Sequence, residues 1–298
     1  MIDLSYRKTN YTDTTESDIT DDMPIKILND IRVKNPNRII MAHLNINSLR
    51  NKCEGLKSLV KDKVDILCIT ESKLDKSFPK GQFEMAGYKS PIRLDRDKSG
   101  GGLIIYIRED IPAKTLESLP SDRDNEGIFI EINLRNNKWL LFCGYNPKKE
   151  RISEYISNLS NRLNKHRGNY DNIIILGDLN CDYNIKDNKL YEFSEVYNLK
   201  NIVKGNTCFK NTNHPTSIDV ILTNRKERFQ DTKIIETGLS DYHKMTITCL
   251  RRYVKKNPPI VINYRNYKNF DALYFQENLS KELGDINKQH VTYDEVKN

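Results

Sequence analysis

Apolar residues along the chain fall into short runs separated by polar stretches, and the spacing within each run separates strands from helices. The plainest run is Ile173-Ile174-Ile175-Leu176, continuous and rich in β-branched side chains, as in a strand buried on both faces. Residues 38–44, 64–70, 103–108, 128–134, 138–143, 216–224, 234–235 and 244–250 read as further strands. Between them, Leu49, Cys53, Leu56 and Val60 recur at helical spacing, as do Ile152, Tyr155, Ile156, Leu159 and Leu163, and a third helix is expected around 190–199. Asn47 or Ser48 is the expected cap of the first helix. Arg135-Asn136-Asn137 is a hairpin connection. Strand, polar tip, helix, strand is the grammar of an α/β protein with one cleft at the carboxyl ends of its strands.

The flanks break this rhythm. Residues 1–37 are polar and read as mostly disordered, with a marginal helix at 24–33 where Ile27, Leu28 and Ile31 share a face. From Arg251 the chain turns basic and then reaches Pro258-Pro259, a linker signature; a helix is expected at 270–283 on Leu273, Phe275, Leu279 and Leu283. Residues 38–252 are therefore the expected folding unit, able to fold without either flank. Residues 253–298 read as a linker and short helix.

Composition adds limits. The chain has 298 residues, 37% hydrophobic and 30% charged, with a net charge of +7. That balance sustains a core and favours an anionic partner, though charge alone does not single out nucleic acid. Six cysteines form no C-x-x-C pair, and several lie inside apolar runs, as expected of buried free thiols in a reducing compartment. No zinc signature, signal-peptide h-region or apolar stretch of membrane-spanning length occurs. The expectation is a monomer, nuclear or cytoplasmic, with no membrane partner.

Polar residues stand at the ends of the apolar runs: Asn45, Glu71, Tyr145, Asp178, Asn180, Asp241 and His243, with Asp219 inside one. Asp178 and Asn180 after Gly177 form either an ordinary Asp/Asn turn or a pair facing a cleft. Glu71 is either a solvated edge residue or a ligand. Ser99-Gly100-Gly101-Gly102 lacks the G-K-[ST] of a P-loop and reads as a flexible turn. Asp219, an acid in an apolar strand, needs a partner. Together the set suits phosphodiester hydrolysis. Glu71 and Asn45 hold a hard cation, Asp178 orients or deprotonates water, Asn180 and His243 donate to phosphate oxygens, and Asp219 fixes the imidazole.

Six segments in order carry a resemblance: His43-Leu44-Asn45-Ile46-Asn47-Ser48-Leu49, Ile69-Thr70-Glu71-Ser72, Gly144-Tyr145-Asn146-Pro147, Gly177-Asp178-Leu179-Asn180, Ser217-Ile218-Asp219 and Ser240-Asp241-Tyr242-His243. Over about residues 38–252 the chain resembles the endonuclease/exonuclease/phosphatase superfamily, most closely the endonuclease domains of non-LTR (LINE-type) retrotransposons. The resemblance implies a DNase I-like four-layer α/β sandwich of two mixed sheets. It also implies Mg²⁺, with Mn²⁺ as a substitute, and nicking of duplex DNA for retrotransposition. Element RNA would be a partner through a full-length polyprotein whose reverse transcriptase would follow this segment. By the same resemblance Asp178, Asn180, His243, Asp219 and Tyr145 are catalytic. Asn45, Glu71 and Asp241 hold the metal, and Asn47, Arg50, Lys148 and Thr207 contact substrate. Two other functions remain: a non-catalytic DNA-binding remnant, or a phosphoesterase of this fold acting on a small or lipid phosphate. The family has histidine directly after the Ser-Asp pair, where this chain has Tyr242, and Lys148 stands where many relatives have asparagine. A one-residue shift in extended chain reverses the side-chain face, so a local bulge is the expected device for bringing His243 into the cleft.

Overall fold

The computed structural model describes residues 16–119, 125–134, 137–253 and 270–286. Residues 1–256 and 257–298 form two separate compact units. Within the first, two six-stranded sheets lie face to face. One contains β1 (Arg38–Asn45), β2 (Ile66–Thr70), β3 (Ile92–Leu94), β4 (Leu103–Ile107), β11 (Phe229–Ile235) and β12 (Met245–Tyr253), in the order β11-β12-β1-β2-β4-β3. The other contains β5 (Ala113–Ser118), β6 (Glu126–Leu134), β7 (Asn137–Tyr145), β8 (Asn172–Asp178), β9 (Lys200–Asn201) and β10 (Asp219–Thr223), in the order β5-β6-β7-β8-β10-β9. Each sheet is mixed, because β1 pairs β2 and β7 pairs β8 in parallel while the remaining neighbours are antiparallel. Helices α1 (Glu16–Lys34) and α2 (Cys53–Val60) cover the outer face of the first sheet; α3 (Ile152–Arg167) and α4 (Lys189–Val196) cover the second. This is the four-layer sandwich.

Strand alternation explains the layers. Ile39 and Met41 of β1, Ile66 and Cys68 of β2, Leu141 and Cys143 of β7, and Ile174 and Leu176 of β8 meet in the core between the sheets. Their neighbours Ile40, Ala42, Leu67 and Ile69 pack beneath α1 and α2, and Leu140, Phe142, Ile173 and Ile175 beneath α3 and α4. Both faces of the central strands are thus buried, as their unbroken apolar runs require. Continued by two residues, the inward series becomes polar: His43 and Asn45 on β1, Thr70 on β2, Tyr145 on β7, Asp178 on β8. The site therefore sits where the inter-sheet core ends. Gly177 does not break β8; it lies inside the strand opposite Gly144, where a Cβ would come within 1.9 Å of the Gly144 carbonyl oxygen.

The reading of residues 1–37 as mostly disordered does not hold for the described part. Helix α1 buries Leu28 and Ile31 in the outer core. Arg32 also reaches across to Asp65, 2.7 Å away and itself buried, which Arg108 holds from the other side. Pro24 and the many polar residues made only a marginal helix at 24–33 legible, and the stability of α1 comes from tertiary packing. A fragment of residues 38–256 is expected to melt roughly 10 °C or more below the full chain. It loses about 1.5–3 kcal/mol for each buried aliphatic side chain and leaves Asp65 without one of its cations. Equal melting temperatures would show that α1 is not part of the core.

Other departures are local. Helix α2 starts at Cys53 and is capped by neither Asn47 nor Ser48, both of which adopt positive φ. The short strands β3, β5 and β9 escaped the sequence reading. In the second unit α5 (Ala272–Ile286) includes Leu273, Phe275, Leu279 and Leu283, all exposed. Residues 1–15 and 254–269, including most of the basic linker, lie outside the described set, as do Arg135-Asn136 of the hairpin connection. All six cysteines are buried and free. No helix among the described residues is long and apolar enough to cross a membrane.

Candidate active site

At the polar end of the inter-sheet core a cavity of about 820 Å3 is lined by Asn45, Glu71, Tyr145, Asp178, Asn180 and His243, among others. Each comes from a strand tip or the turn that follows it. Asn45 ends β1, Tyr145 ends β7 and Asp178 ends β8. Glu71 and Asn180, one and two residues beyond their strands, hold φ of 54° and 48°. That left-handed backbone is costly for non-glycine residues and recurs at functional sites. The Gly101-Gly102 turn is built in behind Glu71: its carbonyls accept from Lys73 N–H and Ser72 N–H, and a Cβ on Gly101 would strike Glu126 and Arg96. The expected flexible turn is a packed support.

Asp178 sits at the centre. Its Oδ2 accepts from Asn45 Nδ2 at 2.8 Å and its Oδ1 from the Asn180 N–H at 2.9 Å. Burial, with the Asp219 charge next, pushes its carboxyl up to about 7. Asp219 lies opposite it on β10 and is fully buried. Burial alone would raise its pKa, but the charge and hydrogen bond of His243 outweigh this and hold it below the usual carboxylate range. His243 Nδ1 donates to Asp219 Oδ2 at 3.0 Å and stands 3.9 Å from Asp178 Oδ2. Burial works against the imidazolium, yet Asp219 prevails and raises His243 to about 11, so both ring nitrogens carry protons. The other, Nε2, rests on Cys208 Sγ at 3.7 Å.

His243 points inwards, and the device is pairing rather than a bulge. Lys244 N–H donates to Thr207 O and Phe209 N–H to Tyr242 O, both at 2.8 Å. Cys208 and His243 are therefore directly opposed as a non-hydrogen-bonded antiparallel pair, the arrangement in which side chains approach most closely. Cys208 lines the cavity, so His243 does too, and alternation turns Tyr242 out to solvent, 47% exposed.

Glu71 takes the Tyr145 hydroxyl on Oε1 and has Lys73 Nζ 3.5 Å from Oε2. Burial first, then the Glu71 charge, pushes the Tyr145 phenol far above its usual range, so it stays a donor. Oxygen donors for a hard cation are present at Glu71 and Asn45. A second set, Asp178, Asp219 and His243, offers ligand atoms all within 4.8 Å of one another, close enough to hold one metal ion. In that second set the imidazole is already engaged with Asp219; in the first, Glu71 is partly exposed, while Asn45 is buried and its Oδ1 accepts from the Asn47 N–H at 3.2 Å.

Several sequence expectations are corrected. Asp241 does not join Asn45 and Glu71: it is exposed, and its Oδ2 accepts from Asn47 Nδ2 at 2.7 Å. Asn47 is not in the cavity wall either; its amide oxygen takes Lys73. Arg50 packs over Phe78 and donates to the Lys73 and Lys98 carbonyls, so it clamps loops. Lys148 is not in the wall, whereas its neighbour Lys149 is. Thr207 is fully buried and is not in this cavity's wall; its hydroxyl donates to Asp219 Oδ2 at 2.8 Å and accepts from the Asp219 N–H at 3.0 Å. It positions the acid. The sequence reading missed Lys210, Asn211, His214 and Thr216, which bring a polar loop into the wall. It also missed Asn146, fully buried, whose carbonyl accepts from Asn180 Nδ2 at 2.8 Å.

No curated protein matches the chain. Among solved structures, it is similar to the endonuclease domain of TRAS1, a telomere-specific non-LTR retrotransposon, at 13% identity and TM-score 0.56, covering 72% of this chain and 99% of that one. The AP endonuclease LMAP from Leishmania major is similar at 14% identity and TM-score 0.60, covering 77% and 98%. The 3' phosphatase NExo from Neisseria, bound to product DNA hairpin, is similar at 17% identity and TM-score 0.53, covering 70% and 98%. At such identities the likeness shows the fold. The model of the endonuclease/exonuclease/phosphatase family matches residues 42–241, two-thirds of the chain and every residue of the cavity wall named above except His243, and the chain belongs to that family.

Proposed function

We propose that the chain is a Mg²⁺-dependent phosphodiesterase that nicks duplex DNA, acting as the endonuclease of a retroelement in the nucleus or cytoplasm. The observation that carries this reading is the convergence of Asp178, the Asp219–His243 pair, Asn180 and Glu71 with Asn45 on one cavity. Hydrolysis of a phosphodiester needs a base for water, donors for the charge building on the phosphate oxygens, and a cation site, and these residues supply all three.

Asp178 accepts the proton of the attacking water; a carboxyl near 7 is poised for that transfer at neutral pH. His243, held by Asp219, directs Nε2–H from Cys208 towards a phosphate oxygen. Asn180 and Tyr145 complete the donor set. Glu71 and Asn45 would hold Mg²⁺, which supplies positive charge to the phosphate and leaving group. Lys149 and Lys210 in the wall suit a polyanionic substrate. The DNA-processing neighbours, one bound to a DNA hairpin, support DNA over a small phosphate ester. The non-catalytic alternative drew its strength from Tyr242, and that side chain faces solvent.

Purified chain offered supercoiled plasmid, inositol phosphates and sphingomyelin in parallel tests the substrate class. Turnover of the plasmid alone is expected; turnover of either small ester in its place would overturn the DNA reading. Metal placement has its own test. Loss even of a ligand's supporting partner costs about 10–100-fold in metal affinity, so Glu71→Gln is expected to raise the Mg²⁺ midpoint of nicking at least tenfold with little change in melting temperature. An unchanged midpoint would move the metal to the Asp178, Asp219 and His243 set.

A further inference from the structure

Asp219 is gripped on one side only by the groups described so far. Both His243 Nδ1 and Thr207 Oγ1 donate to Oδ2, while Oδ1, buried, has no hydrogen-bond partner. An ionised carboxylate oxygen left alone in a dry interior is costly. The atom facing it is Nδ1 of a second imidazole, His43, at 3.6 Å. His43 occupies an inward position of β1 and is 0% exposed. Its Nε2 is 3.1 Å from Thr70 Oγ1, and its Nδ1 has no other partner.

The arrangement fixes the tautomer. A hydroxyl serves as donor or acceptor, so Thr70 accommodates either state of Nε2. A carboxylate only accepts, so a bare Nδ1 lone pair aimed at Oδ1 would set two negative ends against each other. Nδ1 must carry the proton. At 3.6 Å the contact is longer than a formed hydrogen bond, and catalytic contacts of this kind run long in free enzymes and tighten in the complex.

We propose that His43 is a positioning residue: its Nδ1–H steadies Asp219 Oδ1 from the side opposite His243, so that one buried carboxylate is clamped between two imidazoles. The proposal rests on the phosphodiesterase reading. His43 is not in the wall of the active-site cavity; it acts by fixing the plane of Asp219 and, through it, the direction of His243 Nε2.

The two nitrogens are separable by substitution. His43→Asn keeps an N–H donor at the Nδ1 place, and His43→Gln keeps one at the Nε2 place, towards Thr70. His43→Gln is expected to lower kcat about tenfold with KM for plasmid unchanged, and His43→Asn to hold kcat within about threefold of wild type. Equal loss in both variants, or losses tracking melting temperature, would overturn the proposal. Imidazole ¹⁵N NMR of the wild-type chain tests it independently of activity or variant folding. The Nδ1–H tautomer of His43 is expected; the Nε2–H tautomer overturns the proposal. Should the wild type fail to nick DNA, the phosphodiesterase reading fails, and the tautomer still decides whether His43 steadies Asp219.

Discussion

Asp178→Ala is expected to reduce the nicking rate by roughly 10²–10⁴ while binding of duplex DNA survives. The carboxylate has both oxygens fixed by neighbours at the tip of a central strand, and it is the group placed to take the proton from water. Its removal also takes negative charge from a site that must receive phosphate, so the dissociation constant for DNA should stay level or fall. Stability should not suffer greatly, because a carboxyl raised to about 7 by burial is held at a cost. The same values set the pH profile. Catalysis needs Asp178 ionised and His243 protonated, so the rate should climb with pH up to about 7 and stay level until the imidazole loses its proton near 11. A bound cation draws the lower limb to lower pH, because positive charge favours the carboxylate. Near wild-type turnover in Asp178→Ala would remove it from the mechanism.

His243→Gln should be nearly as damaging to the rate, by about 10²–10³, and worse for stability. It takes the cation from Asp219, a fully buried carboxylate, and breaking such a pair costs about 3–5 kcal/mol. Adding Asp219→Asn to His243→Gln should therefore restore part of the melting temperature and none of the activity. Tyr242→Ala, one residue away, should change neither by more than a small factor. The opposite ranking, with Tyr242 critical and His243 dispensable, would mean that the loop pairs in the other register in solution. Activity and thermal unfolding measured on all three variants decide this.

The contrast between those neighbours shows which parts of the molecule were legible in the sequence. Asp178 and Asn180 follow an unbroken apolar run, so strand, tip and cleft could be read together. Asn45, Glu71 and Tyr145 were found the same way. Where a residue's meaning comes from a distant partner, local pattern failed. The face of His243 is set by pairing with Cys208, and Thr207 matters only because Asp219 lies against it. His43 looked like one more residue of an apolar strand. Helix α1 was read only as a marginal helix at 24–33, because Ile25, Ile27, Leu28 and Ile31 among polar residues are too few to form a helix alone and enough to dock one. Strand β5, Ala113–Ser118, is a polar edge strand whose pairing with β6 supplies what its own pattern lacks. Asp241 and Arg50 were placed by resemblance, and their side chains went to Asn47 and to loop carbonyls instead.

The most direct measurement is relaxation of supercoiled plasmid by the full chain with Mg²⁺ and with EDTA, run beside Asp178→Ala purified in the same way. The expected result is open-circular product with Mg²⁺, none with EDTA, and none above background from the variant. Product that persists in EDTA or in Asp178→Ala, or its absence from the wild-type chain with Mg²⁺ despite cooperative thermal unfolding, would contradict the assignment of this cavity as a metal-dependent nuclease site.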